Sequence, residues 1–139
     1  MSHIAGYLAS WLFRTAFPKE ARIMGRGVTH FEVLGQNPAG LRQFYGRAFG
    51  WKLGEPDSMM EYAMVDTGDD AGIRGGIGRA QEGSGHATFY VSVDDPASTL
   101  AEIERLGGRT VLPPQQVPGG VTFAYFADPE GHVVGLLKG

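Results

Sequence analysis

His30 and Glu32 lie two residues apart in the stretch THFEVL, and His86, Thr88, Tyr90 and Ser92 alternate through HATFYVSV. In an extended chain, residues i and i+2 point to the same side, so each stretch gathers its polar groups on one face. An imidazole in such a place can bind a metal, move a proton or donate a hydrogen bond; it can equally be a strand histidine satisfied locally. Glu32 can act as a general base if partial burial raises its pKa, or it can be a solvated rim residue. Thr88, Tyr90 and Ser92 can hydrogen-bond a ligand, although a tyrosine so placed more often packs as an amphipathic ring. Arg74 can pair with an anionic ligand or sit on the outer edge of its strand.

Several chemistries are excluded. The chain has no Cys, so thiolate sites, Cys nucleophiles and disulfides are absent. The Gly-rich run from Gly72 to Gly78 lacks the Lys-Ser/Thr of a phosphate loop, and no helix follows it. No Ser-His-Asp arrangement has supporting context. His132 alternates with Val133 and reads as structural, and Asp128 and Glu130 belong to a turn.

The elements that position these residues come as a repeat. His30 to Leu53 superposes without a gap on Thr88 to Val111, matching Phe31 with Phe89, Val33 with Val91, Pro38 with Pro96, Arg47 with Arg105 and Gly50 with Gly108. Such self-similarity governs the choice of fold. Each copy reads as a strand, a helix opened by Asn37-Pro38 or Asp95-Pro96, a Gly stop and further strands. Leu41, Phe44, Tyr45 and Ala48 fall at helical spacing, as do Leu100, Ile103 and Leu106, so each helix is expected to bury one face. Trp51, like Phe44 and Tyr45, reads as core. Pro113-Pro114 and Pro118-Gly119-Gly120 are expected to bracket a rigid loop. Two β-α-β-β-β modules result, residues 27–80 and 85–138. They form an α+β fold of curved mixed sheets, with the helices outside and a cavity within.

With 139 residues, 42% hydrophobic and 19% charged, the composition is that of a globular domain with a sizeable core. A net charge of −3 gives no electrostatic footprint for nucleic acid. Residues 1–26 stand outside the repeat and are expected to form a flexible arm, with a short amphipathic helix lying on the domain or a partner as the alternative. The apolar run from Ile4 to Phe13 is too short to span a bilayer. Its positive charges follow it rather than precede it, unlike a signal peptide, so a cytoplasmic location is expected. His3 lies in this arm and supports no site, and Met24 is an alternative start of translation.

FYGRAFGW closing the first helix, VDDPASTLAEIERLGG in the second copy and ADPEGHVVGLL at the end resemble the vicinal oxygen chelate superfamily, the glyoxalase, bleomycin-resistance and dioxygenase group. The resemblance covers residues 27–138 and is closest to proteins described only as related to lactoylglutathione lyase. It implies a cavity in which one divalent metal is held by His, Glu or Gln from four strands, with substrates chelating that metal. Non-catalytic members bind a drug there without metal. A homodimer, sometimes with exchanged modules, is also implied.

Carried over residue by residue, the first-strand ligand falls on His30 and is present. Its repeat mate falls on Thr88, a poor ligand. His86 lies two residues earlier on the same face, roughly 7 Å along the strand. The fourth-strand ligand falls within Gly75-Gly76, and the last-strand ligand on Gly135. A catalytic divalent ion wants three or more protein ligands, so only a rearranged set from His30, Glu32 and His86 remains. The leading expectation is a protein that binds a small organic ligand, with the metal site degraded, no cofactor, and acid/base chemistry from His30 or Glu32. The alternatives are a metal-dependent lyase, isomerase or dioxygenase, and a structural module with a closed cavity. The glycines suggest vacated space for a bulky ligand, so a large residue at Gly135 is expected to abolish binding while sparing the fold.

Overall fold

The computed structural model describes residues 25–139; the arm up to Met24 lies outside the described residues. The chain runs β1 (Val28–Gly35), α1 (Pro38–Phe49), β2 (Lys52–Leu53), β3 (Ala63–Asp66), β4 (Arg74–Arg79), β5 (His86–Val93), α2 (Pro96–Arg105), β6 (Arg109–Gln116), β7 (Thr122–Ala127) and β8 (Val133–Lys138). The helix starts follow the local chemistry read from the sequence. The Asn37 side chain accepts from the Gly40 amide, and Asp95 from the Ala97 amide, each ahead of a Pro. Gly50 closes α1 at φ 70°, the left-handed cap that glycine adopts without strain.

The strands do not form two separate sheets. They form one curved sheet of eight, in the order β2-β3-β4-β1-β5-β8-β7-β6. Within each half the first strand pairs in parallel with the last, β1 with β4 and β5 with β8. That leaves β1 and β5 each with one open edge. The two edges pair antiparallel, with His30 opposite Tyr90, Phe31 opposite Phe89 and Glu32 opposite Thr88. The pairing satisfies both rows of backbone groups and removes two exposed edges. It also places the two copies of the polar face side by side.

Both helices lie on the other face. Leu100 of α2 packs with Val93, Ala124 and Leu136, joined by Val91, Ile103 and Phe126. Under α1 the contacts are aromatic: Trp51 stacks on Tyr45 with centroids 5.3 Å apart and lies 5.2 Å from Phe31. Phe44 does not join this core; it is 61% exposed. The helix turns Pro38, Leu41 and Tyr45 toward the sheet, which points Phe44 and Ala48 outward. Pro113 and Pro114 are strand residues rather than loop residues. β6 is the outermost strand, with register shifts along it, and an edge strand tolerates residues that cannot donate to a ladder.

Candidate functional site

On the helix-free face, at the centre of the sheet, Glu32 is 2% exposed. Its Oε1 accepts the Tyr90 hydroxyl at 2.7 Å, and its Oε2 accepts the Tyr125 hydroxyl at 2.7 Å and His86 Nε2 at 2.8 Å. The two phenol oxygens lie 2.5 Å apart. β1 supplies the carboxylate, β5 supplies Tyr90 and His86, and β7 supplies Tyr125. His86 stands opposite Leu34 in the ladder and reaches back along the strand to Glu32. Tyr125 is the member the sequence reading missed; its position two residues before Ala127 in an alternating strand was the available signal.

Glu32 is therefore no rim residue, and its pKa is not raised. Burial alone pushes it up, but the hydrogen bonds from His86, Tyr125 and Tyr90 favour the carboxylate and outweigh burial, so the net shift is downward. Tyr90 and Tyr125 are shifted upward, by burial and by the neighbouring Glu32 charge, and stay protonated as donors. Since the carboxylate takes the Nε2 proton of His86, the base available on that ring is Nδ1. The side chain of His86 is 27% exposed.

His30 belongs to a second, smaller group. Its Nε2 lies 2.8 Å from the Tyr62 hydroxyl, and its ring meets Tyr90 edge-on at 5.3 Å. Burial lowers its pKa, with Glu32 opposing in part. With the Tyr62 phenol as donor, Nε2 is the acceptor and Nδ1 carries the proton. Because the folded-state pKa lies below the usual 6.5, the linked stability is complete above pH 6.5 and is lost as pH falls through the folded value. Chemical unfolding followed from pH 7 downward is expected to show this loss, and His30→Gln is expected to remove it. An unchanged profile in the variant would assign the acid sensitivity elsewhere.

The expected vacancies are filled. Gly76 stands beside Glu32 on this face, and a Cβ there would lie 2.1 Å from the Tyr62 ring. Gly135 stands beside Tyr90, and a Cβ there would lie 2.3 Å from the Tyr90 ring. Gly75 faces the other way, against Phe31. The two inward glycines are thus seats for phenol rings, not space for a bulky ligand. The Thr88 hydroxyl is turned to its own sheet, donating to the Val133 carbonyl at 2.6 Å. Arg74 sits at the exposed rim, where it lines a hollow of about 330 Å³ with Asp66, Asp69 and Asp70. His132 is exposed and pairs with Asp128, whose carboxylate also takes the Glu130 and His132 amides.

A divalent ion does not fit this donor set. Gly76 and Gly135 offer no side chain, Thr88 is engaged, and His30 and His86 are tied to different partners. Among the described residues no three His, Asp or Glu side chains converge. Every buried side-chain polar atom among them has a partner. On this face His86 and Tyr125 are part-exposed, and Met64, which is 53% exposed, flanks Gly76 on β3.

Comparison with known proteins agrees with this architecture. The family described as glyoxalase-like domain matches residues 32–137. A stretch of 64 residues is 34% identical to a protein of Arabidopsis thaliana called a probable chloroplastic lactoylglutathione lyase. That match takes in 45% of this chain and only 18% of the longer relative. Among solved structures, methylmalonyl-CoA epimerase from Mycobacterium tuberculosis superposes with a TM-score of 0.66 at 10% identity, over 87% of this chain and 95% of that one. A Mn(II)-bound glyoxalase from Novosphingobium aromaticivorans gives 0.61 at 19% identity, over 84% and 41%. A hypothetical protein from Bacillus halodurans C-125 gives 0.64 at 13% identity, over 84% and 96%. At these identities the structural matches speak to the fold. No helix among the described residues is long and apolar enough to cross a membrane.

Proposed function

Since this chain belongs to the glyoxalase-like domain family, we propose that it binds a small organic ligand on the helix-free face without a metal such as the one the Mn(II)-bound glyoxalase holds. One observation supports this reading: phenol rings cover the two inward glycines at which the resemblance implies metal ligands, Tyr62 on Gly76 and Tyr90 on Gly135. The ligand lies above that floor, between Met64, His86 and Tyr125. Any reaction is proton transfer, with His86 Nδ1 as the base, Glu32 holding the ring in place, and His30 as a neutral partner. Glu32 itself, enclosed by three donors, orients groups rather than meeting the ligand. Action as a cytoplasmic homodimer belongs to the same proposal. A second reading, a structural module, is favoured by the burial of Tyr90 and Glu32 at the centre of the face.

The test has two arms. Elemental analysis after purification without chelator, and after loading with nickel, zinc, manganese or iron, is expected to find no stoichiometric metal. About one metal per subunit, removed by His30→Ala, would instead support a metal-dependent lyase, isomerase or dioxygenase. A fragment library is then screened by NMR. Shifts confined to His86, Tyr125 and Met64 support ligand binding, and a screen with none leaves the structural module.

A further inference from the structure

The two phenol rings that cover glycines on the helix-free face are held differently. Tyr90 belongs to a central strand, paired on both sides by β1 and β8, and its hydroxyl meets both Glu32 and Tyr125. Tyr62 lies just outside β3, and its hydroxyl donates to His30 Nε2 at 2.8 Å. The segment that carries Tyr62 is fastened near the surface. The Asp57 carboxylate accepts the Met60 and Tyr62 amides at 2.8 and 3.2 Å. Arg79 donates to the Glu61 carboxylate at 2.8 Å, both side chains being exposed, and an ion pair so exposed holds weakly. Glu61 has φ 51° and is the one non-glycine residue with positive φ among those described. Such a backbone persists only where its surroundings hold it against strain. Tyr62 is thus pressed down by a strained segment, and opening that segment releases the strain.

Beneath the ring is a slot one ring wide. A Cβ on Gly78 would lie 2.6 Å from Tyr62 Cδ2, and one on Gly76 would lie 2.1 Å from the hydroxyl oxygen. Leu34 closes the Gly78 end, 3.3 Å from the same Cβ position. Met64 flanks Gly76 and is exposed, and a thioether packs favourably on an aromatic ring. His30 supplies the acceptor. Burial, and then the charge of Glu32, raise the pKa of the Tyr62 hydroxyl, so the slot suits a neutral hydroxyl and opposes an anion. Resting on the ligand-binding reading above, we propose that the ligand is a neutral phenol that displaces Tyr62, lies on Gly76 and Gly78 and donates to His30 Nε2. Tyr62 is then an internal competitor for the seat. The affinity observed is the intrinsic one reduced by the fraction of chains whose seat is open, so loosening Tyr62 raises affinity with no new contact.

Titration with p-cresol, followed by NMR, compares the full wild-type chain with Tyr62→Phe and Tyr62→Ala. Tyr62→Phe keeps the ring and loses the bond to His30, and is expected to bind p-cresol several-fold more tightly than the wild type. Tyr62→Ala vacates the seat and is expected to bind at least about tenfold more tightly. In both variants the His30 resonances shift, and toluene and 4-methylbenzoate bind more weakly than p-cresol. In the saturated wild type, the Overhauser contact between the Tyr62 and His30 rings is expected to disappear. Equal affinity in the three chains, or no binding by any of them, would overturn the proposal. So would a wild-type complex in which that contact persists while His86 and Tyr125 shift. Ligand binding on the face would then stand, with Tyr62 a fixed part of its floor. If Tyr62→Ala does not fold, the comparison of Tyr62→Phe with the wild type decides alone.

Discussion

Glu32→Ala is expected to cost about 3–5 kcal/mol of folding stability, the range seen when one partner of a buried ionic group is removed. Two phenols and an imidazole converge on this carboxylate, and Tyr90 is only 5% exposed. Truncation leaves those donors facing a void, and each unsatisfied buried group carries its own desolvation penalty. Glu32→Gln keeps one acceptor oxygen but turns an amide toward groups that donate, so an intermediate loss is expected. Urea unfolding of the three proteins measures this, and a loss below about 1 kcal/mol for the alanine variant would mean that the cluster does not hold the face together. The pH dependence has a definite sign. The folded-state pKa of Glu32 lies below the usual 4.5, so its linked stability is complete above pH 4.5 and is lost as pH falls through the folded value. The alanine variant is expected to lose that part of the acid limb, whereas the His30 contribution begins higher, below pH 6.5, and is expected to persist.

Gly135→Ala is expected to destabilise by about 1–3 kcal/mol, as overpacking a filled core does. The added methyl would sit 2.3 Å from the Tyr90 ring, with three ring atoms within 2.6 Å. Tyr90 cannot simply swing aside, because its hydroxyl holds Glu32. A substitution at Gly135 therefore reaches the carboxylate through the ring, and a bulky residue there does not spare the fold as the sequence reading supposed. A double-mutant cycle isolates the cause. In a Tyr90→Ala background the space is vacated, and Gly135→Ala is expected to become nearly neutral. Additive losses in the cycle would show that the glycine is required for its backbone rather than for the ring above it.

The sequence alone determined the modular plan, because that plan is written in local chemistry repeated twice. Asn37-Pro38 and Asp95-Pro96 cap their helices through backbone amides two or three residues away. Gly50 stops α1 because it takes the left-handed conformation on its own account. The alternation of His30 with Glu32, and of His86 with Thr88 and Tyr90, assigned these residues to one face for the same local reason. That the ligand positions implied by the resemblance fall on glycines, within Gly75-Gly76 and on Gly135, was equally visible, since a missing side chain needs no structure to be seen.

What lies above those glycines was decided by the tertiary structure. Tyr62 comes from the segment before β3, and Tyr90 from the strand paired with β8, so no spacing along the chain relates either ring to the glycine beneath it. The direction of the Glu32 shift was hidden for a related reason. Burial and hydrogen bonding oppose each other at a carboxylate, and the balance rests on donors from other strands, His86, Tyr125 and Tyr90; Tyr125 is far from Glu32 in sequence and near it only because β5, β8 and β7 lie side by side. Phe44 shows the same limit on a helix. Periodicity gave it an apolar neighbourhood, but the angle at which α1 meets the sheet turned its ring outward. Local signals fix elements and faces; which side chain fills which space depends on strands that only the folded sheet brings together.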